Sequence, residues 1–214
     1  MFSYALNIVS FQTISNAIWD YGMNNPLELC AAFFGVLSVW YSRKNNILVY
    51  PTGIISVLIY VYICFEYKLY ADAGLNVYYF IMSIIGWVNW SKMHASHYVF
   101  PISRCNSQEW LKGAIVFFVT LISLVLLLHH FTDSETVIAD ALVSAAAASA
   151  MWWMATRKVE SWIAWTFSNI VAIPLFFHKG LYFTVVQYII FLILAIWGYF
   201  TWQKEIIKKR NANY

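Results

Sequence analysis

One pattern occurs twice in this chain, in the same direction and 112 residues apart. Displacing the sequence by 112 lays Trp40 on Trp152, Leu69-Tyr70 on Leu181-Tyr182, Gly86 on Gly198 and Trp90 on Trp202. Glu28 meets Asp140, and Ser56, Phe65, Ile81, Ile84 and Lys92 meet residues of their own type, with no gap needed from position 28 to 92. Landmarks of such different chemistry in one register are not explained by a shared apolar composition. A chain written this way is expected to fold as two like units. In a hydrophobic protein, two like units that can rock about a site between them are a signature of transporters.

The chain has 214 residues, of which 62% are hydrophobic and 11% charged. A soluble domain of that length cannot hide so much apolar surface, so an integral membrane protein is expected. Three cysteines (Cys30, Cys64, Cys105) make an odd number, with no CxxC or Cys/His spacing. They read as packing thiols, and no metal site or cofactor is expected.

Stretches able to cross roughly 30 Å of hydrocarbon fall at about 27–42, 47–66, 71–91, 110–130, 134–156, 159–178 and 182–204. Four segments (Arg43-Lys44, Lys92 to Lys112, Arg157-Lys158 and Lys204 to Arg210) hold 11 of the 13 basic residues, and the opposite side has only Lys68 and Lys179. Positive residues stay in the cytoplasm, which predicts an outer N-terminus and an inner C-terminus. Three spans are an odd number, so two parallel copies need one inverting helix between them. The fourth span has no partner in the repeat and is the natural linker. The predicted fold is all-α and membrane-embedded, with seven spans arranged 3+1+3. Its parts are an N-terminal interfacial segment (1–22), a first repeat (23–91), a loop and linker helix (92–132), a second repeat (133–204) and a basic cytoplasmic tail (205–214). Residues 1–22 show neither the charge nor the small-residue pattern of a clear signal peptide.

Trp162, Trp165 and Asn169 are spaced i, i+3, i+7 and share one helix face. At about 1.5 Å per residue, Asn169 falls near the middle of its span. Two indoles and one amide could form a flat-walled pocket, the indoles for a ring and the amide for hydroxyls or an exocyclic amide. The alternative is a belt tryptophan with an amide that merely ties helices together. Indole faces attract cations, by about 2 kcal/mol or more when desolvated, so a cationic aromatic ligand suits such a wall. Asn76, Tyr79, Gln187 and Tyr188, on the third and seventh spans, are candidates for the facing wall. Asp140 lies about two turns into the fifth span, where a carboxylate is costly unless paired or solvated. It could balance a substrate's charge or help gate the outer mouth, or it could simply be hydrated in an outer vestibule or bonded to a neighbouring helix. Pro51 and Pro174 could serve as hinges. A membrane enzyme would need a catalytic cluster, and no HExxH, GxSxG, CxxC or pair of carboxylates on one span is present. A receptor or assembly protein would not need a polar midplane stripe.

Two runs of motifs sharpen this reading. Arg43-Lys44-Asn45-Asn46, Tyr50-Pro51-x-Gly53, Leu69-Tyr70-Ala71-Asp72 and Gly86-Trp87-x-x-Trp90 form the first. Glu160-x-Trp162-x-x-Trp165-x-x-x-Asn169, Gly180-Leu181-Tyr182 and Gln187-Tyr188 form the second. Together they resemble the two halves of the PnuC family of bacterial vitamin transporters, which has a SWEET-like 3+1+3 repeat, and the resemblance spans about 28–204. It implies uptake of nicotinamide riboside across the inner membrane by facilitated diffusion, with thiamine or riboflavin as substrates of relatives. It also implies a homotrimer, and trapping of the vitamin by a cytoplasmic kinase. No nucleic-acid partner is implied.

Overall fold

The computed structural model of the chain describes residues 11–94, 97–131 and 136–212. The described residues contain eight helices: α1 (Phe11–Asn24), α2 (Pro26–Arg43), α3 (Val49–Glu66), α4 (Tyr70–Ser91), α5 (Ser107–Phe131), α6 (Val137–Ala155), α7 (Glu160–His178) and α8 (Tyr182–Ala212). A two-stranded hairpin, β1 (Met93–His94) and β2 (His97–Tyr98), follows α4.

The repeat reaches the backbone. Left-handed conformations end four helices, at Asn45 (φ 51°), Lys68 (φ 58°), Arg157 (φ 55°) and Gly180 (φ 72°). They pair in the 112-residue register, Asn45 with Arg157 and Lys68 with Gly180. A residue in this conformation stops a helix and turns the chain back within a few residues, which explains the short α2–α3, α3–α4, α6–α7 and α7–α8 turns. Only one of the four is glycine, so three turns carry the cost of a side chain at positive φ.

Side chains repeat as well. Ser56 Oγ donates to Ala31 O (2.8 Å) and Ser168 Oγ to Val143 O (2.9 Å). Trp90 Nε1 donates to Met154 O (3.1 Å), and Trp202 Nε1 to Ser42 O (3.2 Å). Every donor and acceptor in these pairs differs from its counterpart by 112. The first pair fixes α3 to α2 and α7 to α6. The second crosses between the two units: α4 donates to α6, and α8 donates to α2. The packing agrees, with α2 against α3 and α8, and α6 against α7 and α4.

Aromatic residues gather at the end of the bundle where the basic turns lie. Tyr50, Trp90, Met154, Val159, Trp162 and Trp202 form a buried cluster there. Tyr50 meets Trp90 edge-on (5.2 Å), and Trp162 meets Trp202 the same way (5.4 Å). Two glycines make room. A Cβ on Gly86 would come within 2.5 Å of Tyr50, and one on Gly198 within 2.7 Å of Trp162. The paired Gly landmarks of the sequence are therefore seats for large rings.

The Ala/Ser run of α6 lets neighbours approach closely. Ala141, Ala145, Ala146, Ala148 and Ala150 are at most 1% exposed, and Tyr78 OH and Ser149 Oγ bond to main-chain carbonyls across this helix's interfaces. By contrast α5 packs mainly on α6 and turns Phe118, Val119, Ile122 and Leu126 outward. An apolar exterior of this extent is the surface of a protein whose solvent is lipid.

Four helices (α3, α5, α6 and α8) are long and apolar enough on their own to cross a membrane, whereas the sequence reading expected seven spans. The other long helices are comparable in length, at 18, 22 and 19 residues for α2, α4 and α7. In α4 and α7 the hydropathy is lowered by polar residues such as Asp72, Asn76, Glu160 and Asn169. Two boundaries also differ. Helix α8 continues to Ala212, so the basic tail is mostly an extension of the last helix. Of the N-terminal segment, residues 1–10 lie outside the described residues, and the rest is α1, laid against α8 and α2 with Tyr21 5.7 Å from Phe183.

Candidate functional site

Helix α7 begins at Glu160, so Asn169 lies near its middle and Trp162 in its first turn. The three residues expected to share a face thus occupy different depths and different surroundings. Trp162 is 1% exposed and wedged between Gly198 and Trp202, with no acceptor for its indole N–H. Trp165 is only partly buried; its ring lies 6.5 Å from that of Tyr79 on α4. Asn169 is 2% exposed, yet its amide meets no hydrogen-bonding partner among the described residues. An amide deep in an apolar bundle is costly without a partner. Asn169 therefore has unused hydrogen-bonding capacity at mid-helix depth, one turn from the part-buried Trp165.

The facing side is aromatic. Tyr79 and Tyr188 are each partly buried. Tyr188 stacks on Phe176 (5.1 Å) and meets Phe191 edge-on (6.0 Å). Gln187 Oε1 accepts a hydrogen bond from Tyr60 OH on α3 (3.3 Å). A Cβ on Gly35 of α2 would lie 3.6 Å from Phe191 and 3.7 Å from Gln187 Nε2, so the first unit also touches this region. The structure thus joins Trp165 to Tyr79, Tyr188 to Phe191, and Gln187 to Tyr60. Asn76 is less available, because its amide nitrogen donates to Asp72 O one turn back (2.9 Å).

Two features here were not singled out from the sequence. Tyr60 lies on the uniformly apolar α3, where no periodicity marks an inner face; its spacing of four from Ser56 and from Cys64 is the only signal. Phe191 lies one turn beyond Gln187 on α8. The register marks it out, because 112 residues separate Tyr79 from Phe191, and Asn76 from Tyr188. Repeat-equivalent positions on α4 and α8 thus furnish the same region.

Asp140 differs from expectation in depth. Helix α6 begins at Val137, so Asp140 sits in its first turn, at the end of the bundle away from the basic turns. Lys179, in the α7–α8 turn, donates to both of its oxygens (2.6 and 2.8 Å), and Thr136 Oγ1 donates to one (2.8 Å). The partner that makes the carboxylate affordable is a lysine 39 positions away. Its repeat counterpart Glu28 receives a hydrogen bond from Tyr21 OH of α1 (2.7 Å). Pro51 falls in the first turn of α3, where a missing N–H breaks no ladder bond. Pro174 is inside α7 and leaves the Ile170 carbonyl without its ladder donor.

At the basic end, the segment after the hairpin is strapped to the α6–α7 turn. Ser103 N donates to Arg157 O (3.2 Å), Val159 N to Ser103 O (3.1 Å) and Cys105 N to Glu160 Oε2 (2.9 Å). Burial and the Glu160 carboxylate push the Cys105 thiol far up, so it stays protonated and packs rather than reacts. Among the described residues, no group of His, Cys, Asp and Glu could hold a metal ion.

A lipid-facing bundle of two like units, with aromatic rings and an unpartnered amide at mid-depth, defines a multi-pass membrane transporter. Residues 25–204 match the family model described as nicotinamide mononucleotide transporter. The chain is 24% identical to a protein of Neisseria mucosa named nicotinamide riboside transporter PnuC, over 97% of this chain and 83% of the relative. It is 22% identical to the riboflavin/roseoflavin transporter RibM of Streptomyces davaonensis, over 82% of this chain and 83% of the relative. A crystal structure of the vitamin B3 transporter PnuC superposes with a TM-score of 0.68 at 25% identity, covering 94% of this chain and 91% of that one. The chain belongs to this nicotinamide mononucleotide transporter family, whose members are membrane transporters and not enzymes.

Proposed function

We propose that this chain takes up nicotinamide riboside across a bacterial inner membrane by facilitated diffusion. The observation that carries the reading is the strip on α7 where Trp165, part-exposed against Tyr79, precedes the unpartnered amide of Asn169 by one turn. A pyridinium ring is both flat and cationic, so it gains from stacking and from the indole quadrupole. Ribose hydroxyls and a carboxamide are the groups that would satisfy Asn169 and Gln187. Tyr79 and Tyr188 complete the wall, Trp162 backs the same helix against α8, Asn76 offers its oxygen, and Pro174, more than Pro51, provides a hinge. Asp140 acts as an outer latch through Lys179. Thiamine shares the cationic ring and is the nearest alternative substrate; an uncharged flavin, as the name of RibM implies for that relative, gains less from indole faces.

The supporting topology is seven spans arranged 3+1+3, with the N-terminus outside, the basic end in the cytoplasm and α5 as the inverting helix. Rocking of the two units would expose the site to each side in turn. Coupling to an ion normally calls for ionisable groups along the path. The middle thirds of the spans contain none, and Asp140 is already engaged. A cytoplasmic kinase that phosphorylates the vitamin would keep the gradient inward, and a homotrimer is the assembly expected of the family.

Purified protein in liposomes, without kinase, is expected to fill with labelled nicotinamide riboside only to the external concentration. Sodium or proton gradients should leave that plateau unchanged. Accumulation above it under an imposed ion gradient would falsify the uniport reading, and uptake of thiamine in preference would reassign the substrate.

A further inference from the structure

At the basic end lies a cavity of about 480 Å³ whose lining includes Lys44, Asn45, Asn46, Trp90, Tyr98 and Arg157. It is separate from the mid-depth aromatic region. Arg157 is 2% exposed. Its guanidinium sits between Trp90 (4.4 Å) and Tyr98 (4.2 Å), donating to the main-chain carbonyls of Phe100 (3.0 Å) and Trp90 (3.4 Å). None of these partners is a carboxylate, and no salt bridge neutralises Arg157 among the described residues. Its Nε has no acceptor. Its backbone is at positive φ, a costly conformation for arginine, and the Ser103 strap holds it there. The positive charge is thus fixed at the cavity wall by carbonyls and rings, with Glu205 of α8 near enough to feel it but not paired with it.

The remaining lining complements it. Lys44 is exposed and lies 5.0 Å over the Trp40 ring. Asn46 Oδ1 is committed to Leu48 N (2.9 Å), which leaves its amide N–H₂ as a donor. Asn45 Oδ1 is buried with no donor. The wall therefore offers positive charge and N–H donors, and lacks one acceptor and one donor. We propose that this cavity binds a hydroxyl-bearing phosphate ester from the cytoplasm. Charge from Arg157 and Lys44 holds the phosphate, the Asn46 amide donates to it, and Asn45 receives the hydroxyl. A soluble sugar phosphate and the headgroup of a glycerol phospholipid share this chemistry. The cytoplasmic source rests on the orientation proposed above; the binding chemistry does not.

The test measures thermal stabilisation and saturable binding of the purified protein. One arm adds ribose 5-phosphate or glycerol 3-phosphate; the other uses nanodiscs of phosphatidylglycerol against phosphatidylcholine. Lys44→Glu is expected to weaken binding at least tenfold, whereas Lys208→Glu, on the exposed tail helix, leaves it unchanged. Response in the first arm assigns a soluble ester, and response only in the second assigns a lipid headgroup. No saturable response in either arm, or equal loss with Lys208→Glu, overturns the proposal. Vitamin uptake and thiol labelling at position 44 in vesicles of known orientation are measured in parallel. Failure of transport or of orientation is thereby separated from failure of the site.

Discussion

Trp162 and Trp165 are one turn apart on α7 and face different problems. Trp162 fills a space that Gly198 leaves open and stays against Trp202, so it holds two helices together. Trp165 packs only partly against the core cluster and keeps some of its surface open. Trp165→Ala is expected to weaken ligand binding by about 1–3 kcal/mol, on the scale of lost ring stacking, with little change in thermal stability. Trp165→Phe should recover part of that loss. Trp162→Ala should instead destabilise the fold by about 3–5 kcal/mol, the usual range for an emptied core tryptophan. Unchanged melting with weakened binding in Trp162→Ala would reverse this division. Gly198→Ala is expected to push the Trp162 ring and cost about 1–3 kcal/mol through overpacking, read as a lowered Tm. Periodicity placed both tryptophans on one face but could not distinguish them, because spacing gives direction and not neighbours. Asp140 is a similar case. Its cost was evident in the sequence, while its partner Lys179 lay in another turn with nothing local to connect them.

At the scale of elements, the helices were legible because apolar runs, turn residues and basic clusters fall at their ends. Hydropathy fell short for α2, α4 and α7, and the last two carry Tyr79, Trp165 and Asn169. The ambiguity has a physical cause, since polar groups needed inside the bundle lower the very quantity used to recognise a span. Direction remains testable. Arg43 and Arg157 are buried and make poor reporters, whereas Lys44, Lys209 and Lys68 are exposed. In a background free of native cysteine, Lys44→Cys and Lys209→Cys are expected to resist an impermeant thiol reagent in intact cells, and Lys68→Cys to react. The opposite labelling pattern would invert the proposed topology.

For the whole molecule, the repeat was the most readable property, since like residues do like work in both halves. It could not reveal which half finishes which. The indoles of Trp90 and Trp202 each complete a hydrogen bond in the other unit. Trp90→Phe or Trp202→Phe should each cost about 1–3 kcal/mol, because a buried carbonyl loses its donor. A cost near zero for both would mean that shape alone locks the units. This reciprocity bears on ancestry and on engineering. Neither half is self-sufficient, but each supplies what the other lacks, as two copies of a smaller gene product would have done before fusion. Covalent continuity between them is then expected to be dispensable. A chain severed between residues 94 and 97, with α5 left on the second fragment to preserve its direction, should reassemble when both pieces are made in one cell. Co-purification of the fragments and recovery of uptake would show that the linker supplies parity rather than cohesion.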